Sequence, residues 1–380
     1  MIEFTLSEEQ LAIQRMARDF ADREMRPYAR ELDRRQDLSF DWKIVERFAK
    51  AGITGILVPK EYGGGGASML TAAVMMEKLA AGCAGMTSVL GGTLLAICCL
   101  KSGGTEEQRR NYLPILTDPK GKLGCMAITE AGAGSDVASI ATRARPDADG
   151  YVLSGTKSYI TNAGLAAFYI IAATTDPAKK LAGIDCFIVP DDAPGLSLGK
   201  IEDKMGLRAS QIGEIILDKV RVPRDNLVGS PGTGFLITVQ TLDMSRPCVA
   251  TLAVGIARAA YETALDYAKQ RVQFGRPIFE NQAISFSLAD IATAIDAARL
   301  LVWRACFLID SGGEFTKEAS MAKLFASETV GWVCSRAMHF LGAYGYSRDA
   351  MVEKYLRDAK ALPIIEGTSE IQRHTIAAEL

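Results

Sequence analysis

Histidine is scarce, with only two in 380 residues, and His339 and His374 are not spaced like the ligands of a zinc site. That shortage argues against an imidazole base and leaves a carboxylate as the expected proton acceptor. Eight cysteines are present, but none forms a CxxC pair and only Cys98 and Cys99 adjoin. Buried, reduced thiols in a reducing compartment are the expectation, with no metal site. Charge of one sign is also missing: 43 Lys and Arg face 45 Asp and Glu, for a net charge of −2. This excludes the electrostatic signature of a nucleic-acid or membrane-surface binder. Arg34-Arg35 and Arg109-Arg110 read as solvated helix faces. Met1-Ile2-Glu3-Phe4 has no basic segment followed by an apolar run, and Glu3, Glu8 and Glu9 do not suit a transit peptide. The most apolar stretch, Leu94 to Leu100, is too short to span a bilayer. A cytoplasmic protein without membrane insertion is expected.

Three compositional zones follow: an α-helical one over 1–123, a β one over 124–229 and a helical bundle over 230–380. In the first, Ser7 and Gln10 read as a capping box, and Leu11, Met16, Ala17, Phe20 and Ala21 recur at helical period. A helix over Trp42–Ala51 should stop at a left-handed Gly52. The Gly63–Gly66 run is a loop, and helix is expected again over Met69–Ala81 and toward Leu100. In the second zone, Tyr151–Leu153 and Tyr159–Thr161 flank Ser154-Gly155-Thr156 like a hairpin. Tyr169–Ile171, Cys186–Val189 and Glu214–Leu217 read as further strands. They alternate too little with helices for βαβ units, so a small antiparallel barrel or sandwich is expected. In the third, Leu242–Arg271, Gln282–Ser311 and Lys317–Leu341 carry Ala and Leu at three- and four-residue spacing. With a short final helix they suggest an antiparallel four-helix bundle, and its wide apolar stripe suits self-association.

Three segments carry chemistry. In Leu362-Pro363-Ile364-Ile365-Glu366-Gly367, a lone carboxylate follows apolar residues and sits between two helix breakers. It is either a surface cap for the next helix or a base whose charged form is disfavoured by apolar surroundings. Ile128-Thr129-Glu130-Ala131-Gly132-Ala133-Gly134-Ser135-Asp136 ends a strand in a glycine-rich turn, whose N–H groups and hydroxyls suit an anion or the polar edge of a flavin. Its spacing is not the dinucleotide fingerprint. Arg271-Val272-Gln273-Phe274-Gly275 closes a long helix, offering a guanidinium and an aromatic ring, or simply a helix stop.

Together these segments resemble the acyl-CoA dehydrogenases, in order and over essentially the whole chain. Ile128–Asp136 resembles the family's TEPGAGSD signature, with Ala131 for proline. Lys157–Asn162 is similar to its K-x-[WF]-ITN strand, Leu242–Arg246 to the helix start lining the thioester pocket, and Arg271–Gly275 with Gln282 to its RxxFG segment. Leu341–Tyr346 resembles LGGxGY, and Glu366–Arg373 matches EGTSEIQR. Lys200–Arg208 and Gln240–Arg246 look like the short-chain, butyryl-type branch.

The resemblance implies an all-helical amino domain, a middle β domain and a carboxyl-terminal bundle, with FAD between the β domain and the bundle. Met126, Ile128, Thr129, Gly134, Ser135, Tyr159, Thr161, Thr368 and Glu370 would lie at the cofactor. Arg271, Phe274 and Gln282 would be donated by a neighbouring subunit, and His339, Gly342 and Ala343 would approach the adenine or pyrophosphate. Ser135, Asp243, Arg246 and Gly367 would meet an acyl-CoA. Glu366 would take the α-proton while a flavin ribityl hydroxyl and the Glu366 N–H steady the thioester oxygen, and the β-hydride would pass to flavin N5, giving a trans-2-enoyl-CoA. Electrons would go to electron-transferring flavoprotein, from a homotetramer built as a dimer of dimers, in the degradation of fatty or other carboxylic acids. Ser245 occupies the position where some branches carry the base, and it cannot act as one. His339, Ala343 and Tyr159 depart from the family pattern. No Lys or Arg stands between Lys78 and Lys101, which does not suit a dicarboxylyl substrate, and Gly91, Gly92 and Thr93 could admit a branched or cyclic acyl group. An oxygen-using oxidase or monooxygenase of the same fold, an enoyl-CoA reductase and a silent flavoprotein are the alternatives.

Overall fold

The computed structural model describes residues 5–380; the reading of Met1–Phe4 lies outside it. Helix α1 (Glu8–Phe20) starts at the expected capping box: Gln10 N donates to Ser7 Oγ at 3.2 Å and Ser7 N to Gln10 Oε1 at 3.0 Å. A π-turn over Ala21–Met25 leads into α2 (Arg26–Arg34). The buried side of this run is Ala17, Ala21 and Met25, whereas Leu11 and Met16 are exposed. Helix α3 (Trp42–Lys50) gives way to Gly52 at φ +71°.

As expected, helix runs over Met69–Ala81 and again toward Leu100; the two stretches join at Cys83, whose backbone is not helical (φ −162°, ψ 109°), and Met69–Gly103 as a whole is α4. The Leu94–Leu100 stretch thus belongs to a helix long and apolar enough to cross a membrane by length and composition alone. Here 83% of its most apolar window is packed inside the protein, as suits a helix apolar all round. Helix α5 (Glu106–Tyr112) closes the amino-terminal layer.

Strands β1 (Leu123–Ala127), β2 (Arg143–Asp147), β3 (Gly150–Thr161), β4 (Ala166–Thr174), β5 (Ile184–Pro190), β6 (Leu196–Ile201), β7 (Ile212–Pro223) and β8 (Leu227–Val228) form a sheet ordered β6-β7-β3-β2-β4-β5-β8 among the described residues, with β1 beside β4. Pairing is antiparallel as expected, except that β1 and β2 each meet β4 in parallel. The expected hairpin at Ser154–Thr156 is absent. Those residues lie inside β3, which folds back on β2 through the turn at Asp147–Gly150. Gly155, at φ +153°, marks a register shift against β7, and a Cβ there would stand 2.5 Å from Thr142 Oγ1.

Helix α6 (Gly234–Gln270) begins eight residues before the expected Leu242 and carries Pro247 in its interior. A two-stranded hairpin, β9 (Val272–Gln273) and β10 (Arg276–Pro277), precedes α7 (Gln282–Asp310) and α8 (Thr316–Leu341). The short α9 (Ala343–Tyr346), then α10 (Met351–Ala359) and α11 (Ser369–Ala378), complete the chain. One apolar core runs from the amino-terminal helices into the bundle, with α4 and α6 at its centre, and a second fills the β layer around Leu153, Ile171, Phe187 and Val220. All eight cysteines are buried and free.

Candidate active site

Glu366 sits in the link between α10 and α11, where Pro363 and Gly367 prevent continuous helix. Its backbone is left-handed at φ +55°, followed by Gly367 at +88°. A non-glycine residue held there costs about 1–3 kcal/mol, so its surroundings must impose it. Gln372, wholly buried in α11, donates from Nε2 to the carbonyls of Glu366 (3.1 Å) and Gly367 (3.0 Å). Lys323 of α8, also wholly buried, donates to the Gly367 carbonyl at 2.6 Å. Gly367 cannot be replaced easily, because a Cβ would lie 2.7 Å from Gln372 Nε2. With both carbonyls turned into the bundle, the Glu366 N–H meets no protein acceptor among the described residues.

The carboxylate is half-buried and accepts a hydrogen bond from Ser245 Oγ at 2.8 Å. Burial pushes its pKa above the usual range, while the Ser245 hydrogen bond and the charges of Arg246 and Lys323 pull the other way. Burial wins, and the result is a strengthened base. Ser245, Arg246 and Asp243 come from one turn of α6. Pro247, lacking an N–H, leaves the Asp243 carbonyl without its helical donor there. Arg246 is buried, bonded to Asp243 and to Ser320 Oγ at 3.1 Å, with its Nε unpartnered. Asp243 also accepts from Thr316 at 2.7 Å, and its carboxylate orients Arg246.

The glycine-rich turn is fastened from below. Wholly buried Lys157 donates to Ile128 O (2.8 Å) and Glu130 Oε1 (2.7 Å), and Glu130 accepts from the N–H groups of Ala141 (2.6 Å) and Thr142 (3.0 Å). Ser158 N donates to Thr129 O at 2.9 Å. Thr129 and Thr161 are half-buried, Gly134, Ser135 and Tyr159 exposed, and Ile128 half-buried between them and the core; Met126 is buried within β1. The side chains of Thr129, Ser135, Tyr159 and Thr161 find no protein partner among the described residues. Asn162, in the turn just after β3, donates to Val89 O (3.0 Å) and Gly124 O (3.1 Å), tying this edge to α4 near Gly92. Six residues further along α4, about 9 Å, the Cys98 thiol feels the charge of Glu366; burial is the larger cause of its pKa, pushed up to about 12. The turn and the base therefore share α4 as a spine.

Thr368 caps α11, accepting from Ile371 N at 3.3 Å, and Glu370 is exposed in its first turn. The remaining expected residues lie apart from this group, on the outer bundle. Arg271 ends α6, and Phe274, at φ +51°, is 102% exposed on the β9–β10 hairpin. Gln282, His339, Gly342 and Ala343 are exposed as well. Tyr267 and Tyr344 stack at 6.3 Å, which brings the hairpin beside the Gly342–Ala343 corner. Within one chain these two sets do not converge.

The sequence matches three family models: the acyl-CoA dehydrogenase N-terminal domain over 7–120, the middle domain over 125–220 and the C-terminal domain over 232–380. The chain belongs to the acyl-CoA dehydrogenase family. Among its relatives, the mitochondrial short-chain specific acyl-CoA dehydrogenase of Bos taurus is 43% identical, over 99% of this chain and 90% of its own. The acryloyl-CoA reductase (NADH) of Anaerotignum propionicum is 41% identical, over 100% and 96%. The solved structure of butyryl-CoA dehydrogenase from Megasphaera elsdenii superimposes with a TM-score of 0.96 at 39% identity, covering 100% of this chain and 99% of that one.

As an acyl-CoA dehydrogenase family member the protein is an FAD-dependent oxidoreductase. Its residues fit that cofactor. Four unpartnered polar side chains line the turn and the end of β3, and a Cβ on Gly132 or Gly134 would meet nothing within 4 Å. Sequence reasoning missed Lys323, Gln372 and the contact from Ser245 to the base. The one available signal was Lys323 itself, a lysine flanked by Ala319, Ala322 and Ala326 on one helix face.

Proposed function

We propose that the protein converts an acyl-CoA thioester to a trans-2-enoyl-CoA, with Glu366 removing the α-proton. The observation that carries this reading is a strengthened carboxylate set beside its own unpaired N–H. A carboxylate alone cannot deprotonate a thioester at useful rates. The Glu366 N–H would hydrogen-bond the thioester oxygen as enolate charge develops, and such a donor is worth about 3–4 kcal/mol. The charges of Arg246 and Lys323 favour the ionised form of Glu366, in opposition to burial. Bound FAD supplies the acceptor for the hydride leaving Cβ. Thr129, Ser135, Tyr159, Thr161 and Thr368 would hold its polar edge, with Met126, Ile128, Gly134 and Glu370 alongside. Arg271, Phe274 and Gln282 would reach it from a second subunit, and His339, Gly342 and Ala343 would approach its adenine end. Ser135 and Gly367 would contact the CoA thioester.

A homotetramer fits the exposed aromatic residues of α7 and α8, among them Phe286, Phe307, Phe325 and Trp332. Free, buried thiols suit the cytoplasm, and 1–123, 124–229 and 230–380 serve as the domain division. Electron-transferring flavoprotein is the acceptor that the family resemblance supports. A short, branched or cyclic acyl group suits the likeness to the bovine short-chain relative and the absence of a cation between Lys78 and Lys101. Turnover of an acyl-CoA series with an artificial electron acceptor tests this: butyryl-length chains should lead, and a preference for long or dicarboxylyl chains would refute it. The likeness to the acryloyl-CoA reductase favours a second reading, in which the same groups run toward the saturated thioester. NADH oxidation with an enoyl-CoA, alone and with electron-transferring flavoprotein, separates the two, and rapid reoxidation in air would mark an oxidase.

A further inference from the structure

Lys323 is a buried ammonium with no carboxylate within 4 Å among the described residues. Buried lysines ordinarily pair with an acid or surrender their charge. Its hydrogen bond goes instead to a peptide carbonyl, that of Gly367, in the turn that carries the base. The charged groups facing it are Glu366 on the link, Arg246 on α6, Glu370 on α11 and Glu328 on α8 itself. Glu328 is taken up by Arg373 at 2.6 Å, and Arg246 by Asp243. Glu366 heads the charges that favour the ammonium form.

Glu366 and Gly367 are consecutive left-handed residues, a conformation that glutamate avoids and that persists only if its carbonyls are held. Gln372 supplies two neutral donors and Lys323 one charged donor, the stronger kind. We propose that Lys323 is the positioning residue of this turn: by gripping the Gly367 carbonyl it keeps the Glu366 carboxylate and the Glu366 N–H aimed into one site. This deepens the assignment of Glu366 as the base and rests on it. Burial pushes the Lys323 pKa down to about 8, so the grip changes from a charged donor to a neutral one within an accessible pH range.

The test compares Lys323→Met, Lys323→Gln and Glu366→Gln as FAD-loaded proteins. It measures kcat and KM for butyryl-CoA from pH 6 to 10. It also measures the affinity of a non-oxidisable CoA thioester by calorimetry. In the native enzyme kcat should decline as pH rises through about 8. Lys323→Met should lose about 100-fold in kcat, the scale of a misplaced catalytic group, bind the thioester more weakly and lack that decline. Lys323→Gln keeps a donor without charge, so at every pH it should match the level to which the native enzyme falls above about 8, higher than Lys323→Met and without the decline. The proposal is overturned if Lys323→Met stays within twofold of native with its decline intact, or if both variants are equally impaired. Should the Met protein fail to load FAD, an unchanged alkaline decline in Lys323→Gln also overturns it. An inactive Glu366→Gln beside a native-like Lys323→Met removes the grip and leaves the base; an active Glu366→Gln removes both.

Discussion

Ser245→Ala should move the acid limb of activity upward by about one pH unit, because Ser245 donates to the ionised form of Glu366. A hydrogen bond to a charged group contributes about 1.5–3 kcal/mol, and 1.36 kcal/mol corresponds to one pKa unit. The hydroxyl has a single hydrogen, and Leu242 O lies 3.0 Å away as a competing acceptor, so the lower end applies. The sign follows from the base having to be ionised. Burial already holds the Glu366 pKa above its usual value, and Ser245 is among the groups opposing burial. Without it the pKa rises further and activity is lost at a higher pH during acidification. The buried alanine leaves no polar atom to replace the donor. Profiles of kcat/KM against pH for butyryl-CoA, with an artificial acceptor, report the free-enzyme pKa. A limb that stays put or moves to lower pH would refute the role given to Ser245, and a plateau reduced about 100-fold or more would make it a chemical participant.

Glu77, buried in α4, is held by Arg299, Lys78 and Arg258, with contacts of 2.9 to 3.2 Å. Burial raises its pKa, but the three cations outweigh it and hold it at about 2. That depressed value stabilises the fold above the unfolded value of 4.5, and the gain is lost as pH falls toward 2. Glu77→Gln strands the arginines and should cost about 3–5 kcal/mol at pH 7, read by urea denaturation, with a gap that narrows below pH 4.5. Lys157→Met cuts the support beneath the glycine-rich turn and should weaken FAD retention at least about tenfold, measured by flavin release. Phe274→Ser touches nothing in its own chain, so subunit folding by circular dichroism should be unchanged while flavin affinity or tetramer content falls.

Local signals were legible where local forces decide the structure. Ser7 and Gln10 announced a capping box, and Gly52 took the left-handed stop. Pro363 and Gly367 placed Glu366 between helices, and the apolar residues before it pointed toward a strengthened base. Ser154-Gly155-Thr156 misled, because turn-forming residues also serve at a strand irregularity, and the register against β7 decides between the two. The start of α6 at Gly234 was hidden because Ile237, Thr238, Val239 and Thr241 are β-branched and favour helix weakly. Packing imposes it, since a Cβ on Gly234 would lie 2.3 Å from Asp185 Cα. The groups around the base come from remote parts of the chain. Lys323 lies 44 residues from Gly367, and Ser245 lies 121 from Glu366. No periodicity links them, so only the folded bundle brings them together.

Replacing the carboxylate by its neutral amide keeps the shape of residue 366 and removes its capacity to accept a proton. Turnover of butyryl-CoA by FAD-loaded Glu366→Gln should fall by about 10²–10⁴-fold with flavin content unchanged. A variant that retains flavin and oxidises its thioester at native rates would contradict the assignment of the base.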